Sequence, residues 1–251
     1  MQQRPDSETI VVFGATSAVA QELARIHAGS GDSMVLIARN SERLNSVAAD
    51  LRVRGAPQVE CLCSDLDNIQ EHPNLLKKVE EKCTGIVKYY FLYGALPDQK
   101  ACEASWDATH SALTTNFLSV VSLLTQIANK MEKETNRGLI VVSSVAGDRG
   151  RQSNYIYGTA KGALSIFLQG LRNRLYQSNC SVTTIKPGFI DTPMTRDFKK
   201  GALWATPEKV AQDIYNASCK GKNEVYTPGY WRLIMLIINN IPETIFKRLS
   251  L

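Results

Sequence analysis

The sequence has 251 residues and a formal net charge of +5, and 44% of its residues are hydrophobic while 21% are charged. This composition excludes a disordered or fibrous chain and provides enough apolar side chains for the core of one α/β domain. The mild positive charge permits an anionic cofactor or a membrane surface as partner, but it is too small to predict binding to nucleic acid.

The six cysteines form no CxxC pair, and the three histidines are scattered along the chain. The chain also begins without the pattern of a secretory signal peptide. We therefore expect reduced thiols in a cytoplasmic protein, and we expect no metal site.

Apolar runs typical of strands alternate with helical patterns along the chain. The predicted strands cover residues 9–13, 34–38, 59–64, 86–93, 139–143, 182–186 and 224–226. The predicted helices cover residues 17–28, 42–54, 105–133, 157–177 and 207–220, with a lysine-rich helix between the third and fourth strands. This alternation implies right-handed crossovers and a parallel sheet covered on both faces. We predict an α/β fold with a single doubly wound Rossmann domain over residues 1–251, with about seven strands.

The turn after the first predicted strand reads Gly14-Ala15-Thr16-Ser17-Ala18-Val19. A helix that begins here offers free N–H groups and a partial positive charge to a pyrophosphate. Gly14 allows the tight turn, and Ala18 is small enough for the backbone to approach a ligand. The turn keeps one glycine of the usual three, so a structural turn without a phosphate is an equal alternative for this segment alone.

Arg39 ends the second predicted strand, where the adenosine ribose of a dinucleotide would lie. An acidic residue there would bind the ribose hydroxyls of NAD, whereas a guanidinium suits the 2′-phosphate of NADP. Thr16 and Ser17 could add hydroxyl donors. These residues predict NADP (NADPH) as the cofactor, and a solvated surface arginine is the alternative for Arg39 alone.

Tyr157 and Lys161 lie four residues apart on a predicted helix and therefore share one face. The ammonium is expected to lower the pKa of the phenol from about 10 toward neutrality, as a general acid or base requires. Ser144, at a strand end, could hold a carbonyl oxygen. Ser143 is the alternative, but it would point to the opposite face. This set predicts proton transfer to a ketone oxygen; an ordinary surface tyrosine and lysine are the alternative.

Taken in chain order, these motifs resemble the short-chain dehydrogenase/reductase family over nearly the whole sequence. The positions that carry the resemblance are Gly14, Asp65, Asn116, Ser143-Ser144, Tyr157, Lys161, Pro187-Gly188 and Thr192. The resemblance implies an NAD(P)-dependent oxidoreductase in which Ser144 orients the carbonyl and Tyr157 transfers the proton. Lys161 would then hold the nicotinamide ribose and lower the Tyr157 pKa, and Asn116 would bend its helix and hold a water in a proton relay.

The resemblance also implies further cofactor contacts. Asp65 and Leu66 would meet the adenine, and the nicotinamide would be surrounded by Pro187, Gly188, Ile190 and Thr192. Leu92-Tyr93-Gly94-Ala95 replaces the usual Asn-Asn-Ala-Gly, which leaves Gly94 as the expected point of close cofactor approach. Ordinary structural roles are the alternatives: Asp65 as a helix N-cap, Asn116 as a solvent-facing residue, and Pro187-Gly188 as a turn.

The segments 144–158 and 241–249 narrow the resemblance to the subgroup of decaprenylphosphoryl-2-keto-erythro-pentose reductases. This subgroup implies reduction of a keto group on a polyprenyl-phosphate-linked sugar in cell-envelope glycan synthesis, with a flavin oxidase as partner. The alternatives are a reductase of another ketone, lipid or small carbonyl, or a non-catalytic nucleotide-binding partner of an oxidase. The intact set of Asn116, Ser144, Tyr157 and Lys161 argues against a protein without proton chemistry.

The C-terminal segment 228–251 contains an apolar stretch that is too short to span a bilayer, followed by a piece that carries Lys247 and Arg248. An amphipathic anchor on the inner face of the cell membrane and a helix packed on protein are equal alternatives. In the membrane interpretation, the loop 191–204 and this segment bring a polyprenyl phosphate to the site. Its phosphate could meet Lys199, Lys200, Arg149 and Arg151. The long helices 105–133 and 157–177 suggest a homo-oligomer.

Overall fold

A computed structural model describes residues 8–135 and 137–249; the start of the chain, residue 136 and the last two residues of the predicted C-terminal segment lie outside the described residues. The strands are β1 Glu8–Phe13, β2 Ser33–Ala38, β3 Val59–Cys63, β4 Ile86–Phe91, β5 Arg137–Val142, β6 Ser181–Pro187 and β7 Glu224–Thr227. The α-helices are α1 Ala18–Gly29, α2 Ser41–Val53, α3 His72–Glu80, α4 Gln99–Ala104, α5 Trp106–Leu113, α6 Ser119–Met131, α7 Tyr155–Arg174, α8 Pro207–Cys219, α9 Trp231–Asn240 and α10 Glu243–Phe246.

The seven strands form one parallel sheet in the order β3-β2-β1-β4-β5-β6-β7. Alternate residues of each strand face opposite sides, so Ile10 and Val12 pack in one core cluster while Val11 and Phe13 pack in the other. Helices α1, α2 and α8 cover the first side, and α3, α6 and α7 cover the second. The predicted α/β class with about seven parallel strands and helices on both faces is therefore confirmed.

Side-chain caps fix where several of these helices begin. Ser17 accepts a hydrogen bond from the Ala20 amide at the start of α1, and Asn40 accepts one from the Arg43 amide at the start of α2. Caps of this kind satisfy amide groups that have no partner within the helix. They hold the amino ends of α1 and α2 at the edge of the sheet where β1 and β2 end.

The helix predicted over residues 105–133 is not regular. It comprises α5, a π-helical segment Thr114–Leu118, and α6. By length and composition the stretch Trp106–Met131 could cross a membrane. Its inward-facing residues, among them Leu123 and Ile127, are fully buried against the sheet, so in this fold it is a core helix.

The carboxyl ends of the strands bring the predicted site residues to one edge of the sheet. β1 and β4 are neighbours, and the chain leaves them in opposite lateral directions, which is where open α/β sheets bind ligands. The residues that follow or end the first six strands at this edge are Gly14, Arg39, Asp65, Gly94, Ser144 and Gly188.

Candidate active site

Asn116 lies in the π-helical segment and is fully buried. Its Nδ2 donates to the carbonyl oxygens of Ala95 and Ala112, both at 2.9 Å, and its Oδ1 accepts from the Ala95 amide at 3.1 Å. The side chain therefore ties the chain after β4 to the helix. The solvent-facing alternative for Asn116 is wrong, because the widened π turn directs this amide inward.

Ser143 and Ser144 point in different directions at the end of β5. The Ser143 hydroxyl donates to the Lys161 carbonyl at 2.8 Å and lies 2.8 Å from the Ser165 hydroxyl, so it fastens β5 to α7. The Ser144 hydroxyl accepts from the Ala146 amide at 3.1 Å and is a hydrogen-bond partner of the Tyr157 phenol. Ser144 is thus the serine that shares a site with Tyr157.

Tyr157 and Lys161 share one face of α7, and the Lys161 Nζ lies 5.8 Å from the Tyr157 ring centre. Burial raises the pKa of Tyr157 to about 12, and the hydrogen bond with Ser144 opposes this rise. Burial also lowers the pKa of Lys161 to about 8. The expected fall in the pKa of the phenol is therefore wrong for this structure, because the loss of hydration disfavours the phenolate more than the hydrogen bond with Ser144 favours it.

Lys161 is 2% exposed, yet among the described residues its Nζ has one hydrogen-bond acceptor, the Val142 carbonyl at 3.1 Å. An ammonium carries three donors, so two remain for another group. Gly94 lies directly above: a Cβ added there would sit 2.8 Å from Asn116 Oδ1 and 3.4 Å from Lys161 Nζ. The absence of a side chain at Gly94 keeps the approach to Lys161 open.

The turn that follows β1 requires glycine at position 14. Gly14 has a φ of +84°, and a Cβ there would lie 2.6 Å from the Tyr93 Cβ. Tyr93 is held in place by a 2.9 Å hydrogen bond between its hydroxyl and that of Ser119. Glycine is thus needed at position 14 both for the positive φ and for the close contact with Tyr93, which is one of the residues that replace the usual asparagines.

The predicted phosphate-binding residues surround the amino end of α1. Thr16, Ser17 and Ala18 are partly exposed, whereas the Val19 side chain packs in the core, so only its backbone can face a ligand. Arg39 is exposed at the end of β2. Sequence reasoning missed Arg43, whose guanidinium donates to the Thr16 carbonyl at 3.4 Å and so lies beside this turn. Its position in the first turn of α2 was the available signal.

Asp65 and Leu66 differ in exposure after β3. Asp65 is exposed, and its carboxylate accepts from the Asp67 amide at 3.1 Å, so it caps a turn rather than a helix. The Leu66 side chain is buried among the core residues under α3, and its carbonyl accepts from His72. A ligand at this edge could therefore meet the Asp65 side chain but only the backbone of Leu66.

The chain after β6 folds back over the same edge. Pro187 ends β6, Ile190 bridges to Ala205, and Thr192 begins a short 3₁₀ turn capped reciprocally with Thr195. These contacts hold the segment 188–206 over this edge of the sheet, and we call it the cover segment.

Gly188 is in direct contact with the C-terminal helix. A Cβ built on Gly188 would lie 1.9 Å from Trp231 Nε1, so only glycine fits beneath this indole. Trp231 is 3% exposed and makes an edge-to-face contact with Phe189 at 5.5 Å. Sequence reasoning did not place Trp231 at the site, because nothing in the local pattern shows which loop a distant helix will cover.

The C-terminal segment both packs on protein and leaves an apolar face exposed. Trp231 and Met235, one turn apart on α9, pack against Val145, which follows Ser144. The opposite face of α9 consists of Leu233, Leu236 and Ile237, each about 60% exposed. Packing on protein and anchoring on a membrane are thus compatible, because each would use a different face of α9.

Arg149 is not available to a substrate phosphate, contrary to the expectation. Its guanidinium donates to the carbonyls of Ile238 and Ile241 and to Glu243, and it lies 3.6 Å from the centre of the Phe246 ring. These contacts satisfy the carboxyl end of α9, which is a structural use of the cation. Lys200 is likewise paired with Asp191, although both side chains remain half exposed.

The residues at this edge fit a bound nicotinamide dinucleotide. The amino end of α1 offers amides to the pyrophosphate, and Arg39 and Arg43 lie where the adenosine ribose would be. The buried Lys161 ammonium keeps two donors for hydroxyl groups, as a ribose would supply, and Gly94 leaves room above it.

Comparisons with known proteins agree with this geometry. The short chain dehydrogenase family model matches residues 8–202. An uncharacterized oxidoreductase of Mycobacterium tuberculosis is 34% identical over 242 residues, which is 96% of each chain. An uncharacterized oxidoreductase of Streptomyces coelicolor is 32% identical over 244 residues, covering 96% of this chain and 95% of that one.

The fold also matches a solved structure, a phenylalanine-to-tryptophan variant of actinorhodin polyketide ketoreductase with NADPH. The TM-score is 0.78 over 94% of this chain and 98% of that chain, at 20% sequence identity. At this identity the likeness concerns the fold.

Proposed function

The chain belongs to the short-chain dehydrogenase family and is an NAD(P)-dependent oxidoreductase, and from that premise we propose that it is an NADPH-dependent ketoreductase of a polyprenyl-phosphate-linked keto sugar. The observation that carries this proposal is that the Tyr157 phenol shares a site with Ser144 and one helix face with Lys161, whose Nζ lies 5.8 Å from the ring centre. A group that keeps its proton at neutral pH is ready to act as an acid toward a ketone oxygen.

The roles of the chain's own residues follow from their positions. Ser144, which shares the site with the phenol, donates a hydrogen bond to the ketone oxygen, and Tyr157 gives that oxygen its proton. Lys161 directs its two remaining donors at the nicotinamide ribose, and its positive charge stabilises the phenolate left behind. Asn116 holds the loop after β4 in place through Ala95. The reduced nicotinamide, when bound, supplies the hydride.

The assignment of NADP over NAD rests on two guanidinium groups at the end of β2. Arg39 is exposed there, and Arg43 lies beside the α1 turn. A 2′-phosphate would be bound by such cations, whereas the ribose hydroxyls of NAD would favour an acid at this strand end. The remaining predicted cofactor contacts, at Asp65 and around Gly188, belong to this same proposal.

The lipid-linked substrate is supported by the surface around the site. Apolar side chains are exposed on the cover segment, at Phe189, Met194, Phe198 and Leu203, and on the outer faces of α9 and α10. Lys247 and Arg248 follow α10 and suit an anionic headgroup region. Such a surface would lie on the inner face of the cell membrane, present a polyprenyl chain to the site and receive its keto sugar from a flavin oxidase.

A second candidate is the reduction of another ketone, a lipid or a small carbonyl compound. The set of Ser144, Tyr157 and Lys161 serves any ketone equally well, and the solved structure with the same fold bears the name of a polyketide ketoreductase. Comparing NADPH oxidation with a keto-sugar phospholipid and with simple ketones separates the two candidates.

The test of the reductase itself is the Tyr157→Phe variant. Removal of the proton donor should lower kcat by about 10²- to 10⁴-fold while the Kd for NADPH stays within about threefold. Tyr155→Phe is the matched control, because Tyr155 lies on the same helix with 40% of its surface exposed. Turnover by Tyr157→Phe equal to that of the control would remove the phenol from the reaction.

A further inference from the structure

Arg151 is a partly buried arginine whose guanidinium has one weak hydrogen-bond contact among the described residues. Its Nη2 lies 3.6 Å from the Met235 sulfur, a weak acceptor, and its Nε is buried with no hydrogen-bond partner. Within residues 8–135 and 137–249 it forms no ion pair with a carboxylate. Burial lowers the pKa of this guanidinium, as expected for a cation that has lost its hydration.

The carboxylate that most influences Arg151 is already used elsewhere. Asp148 forms an ion pair with Lys186 at 2.8 Å and accepts a hydrogen bond from the Tyr226 hydroxyl at 2.8 Å. Arg149, two residues before Arg151, is a structural arginine of the same region. Its guanidinium contacts two carbonyls, a carboxylate and an aromatic ring. Arg151 has none of these partners.

The position of Arg151 relates it to the reaction site. It lies on the loop between Ser144 and Tyr157, and its contact Met235 packs in one cluster with Val145. Trp231, in the same cluster, covers Gly188. The guanidinium therefore lies next to the cluster of Val145, Trp231 and Met235, which links the residue after Ser144 with Gly188.

We propose that Arg151 binds an oxyanion of the substrate, a phosphoryl or carboxylate group, and so selects anionic ketones. A guanidinium offers such a group several N–H donors in one plane, and the pairing is strong where water is excluded. An unpaired buried cation is costly to the fold, and a substrate anion would offset that cost. This inference rests on the proposed ketoreductase function and adds the residue that recognises the anionic group of the substrate.

The test compares ketones that differ only in charge. The pairs are dihydroxyacetone phosphate with dihydroxyacetone, and acetoacetate with its methyl ester, so that one arm reports on phosphate and the other on carboxylate. We expect the native protein to favour the anion of at least one pair in kcat/KM by on the order of 10- to 100-fold. Arg151→Gln should lose this ratio while keeping turnover of the neutral ketone, and Arg151→Lys should keep part of it.

Arg232→Gln is the matched control, since Arg232 is an exposed arginine on the helix that carries Met235. It should keep the full ratio. Thermal unfolding of Arg151→Met separates binding from structure: removal of an unpaired buried charge should leave Tm unchanged or raise it. A lower Tm for this variant, together with an unchanged anion ratio in Arg151→Gln, would show a structural role and overturn the proposal.

Failure of the proposed function is recognised separately. If the native protein binds NADPH but reduces neither the four ketones nor a keto-sugar phospholipid, the proposed reduction fails, and the Arg151 inference is then decided by binding alone. The NADPH-saturated protein should gain thermal stability from inorganic phosphate or acetate, and Arg151→Gln should lose that gain. An equal gain in both proteins overturns the assignment of Arg151.

Discussion

At the residue scale, burial determines the protonation states of Tyr157 and Lys161. The spacing of Tyr157 and Lys161 on a helix shows that they are neighbours, but it does not show how deeply they lie. In the folded protein burial favours the neutral form of each group, so it raises the pKa of Tyr157 to about 12 and lowers that of Lys161 to about 8. The acid is thereby kept protonated, while the lysine can change its charge within the range of ordinary assays.

The affinity for NADPH should depend on pH through Lys161. In its proposed role the protonated form holds the ribose, so binding should be unaffected below about pH 8 and should weaken as the pH rises above that value. The decrease can reach about tenfold per pH unit, and Tyr157 does not contribute because its pKa of about 12 lies above the range. Fluorescence titration from pH 6.5 to about 9.5 measures this.

Lys161→Met provides the reference for that titration. It should bind NADPH weakly at every pH and show no slope, since it has no group to deprotonate. An affinity of the native protein that stays constant across the whole range would contradict a role of the ammonium in cofactor binding.

Arg39→Asp should shift cofactor preference toward NAD. The carboxylate would repel the 2′-phosphate and could accept hydrogen bonds from ribose hydroxyls, so the ratio of kcat/KM for NADPH over NADH should fall by on the order of 100-fold. Arg43 remains beside the turn and should limit the fall. Lys222→Asp makes the same charge change at an exposed loop after α8 and should leave the ratio unaltered. A ratio equal in both variants would mean that Arg39 is only a solvated residue.

At the element scale, periodicity predicted all seven strands and the helices that cross between them, because each buries a regular apolar face. Periodicity did not predict α4, which is a single short helix in the loop after β4, or the π segment around Asn116. The π segment contains Asn116, whose side-chain amide forms hydrogen bonds with the Ala95 backbone. This is a contact between residues far apart in the chain. The packing of Trp231 on Gly188 is also a contact between distant residues, so neither feature has a signal in the surrounding sequence.

Gly188→Ala tests the contact between α9 and the end of β6. The added methyl group would meet the Trp231 indole at 1.9 Å, so the helix must move, at a cost of about 1–3 kcal/mol in the free energy of unfolding. Gly170→Ala is the control, because Gly170 is an exposed glycine of α7 with no atom within 4 Å of an added Cβ. It should stabilise the protein by about 0.5–1 kcal/mol. Denaturant unfolding of both variants measures the difference, and equal stabilities would exclude the close packing of Trp231.

At the scale of the whole molecule, the predicted cofactor residues, the cover segment 188–206 and the C-terminal helix lie at the same edge of the sheet. Trp231 and Met235 turn inward, so the residues at the alternate spacing, Leu233, Leu236 and Ile237, must point outward. An apolar face of this kind beside the candidate active site suits contact with a lipid surface, and Lys247 and Arg248 add attraction to anionic headgroups.

This face should bind vesicles that contain anionic phospholipids. The combined substitution Leu233→Ser, Leu236→Ser and Ile237→Ser should reduce the partition coefficient in a sedimentation assay by at least ~10-fold, because three apolar side chains no longer enter the interface. Higher salt should weaken binding of the native protein, since the basic residues act through screened charges. A control with Val53→Ser, Ile166→Ser and Tyr176→Ser removes apolar groups that are at least as exposed from other surfaces. If both triple variants bind vesicles as the native protein does, the outer face of α9 must be covered by protein instead, with a sister subunit as the first partner to examine by light scattering.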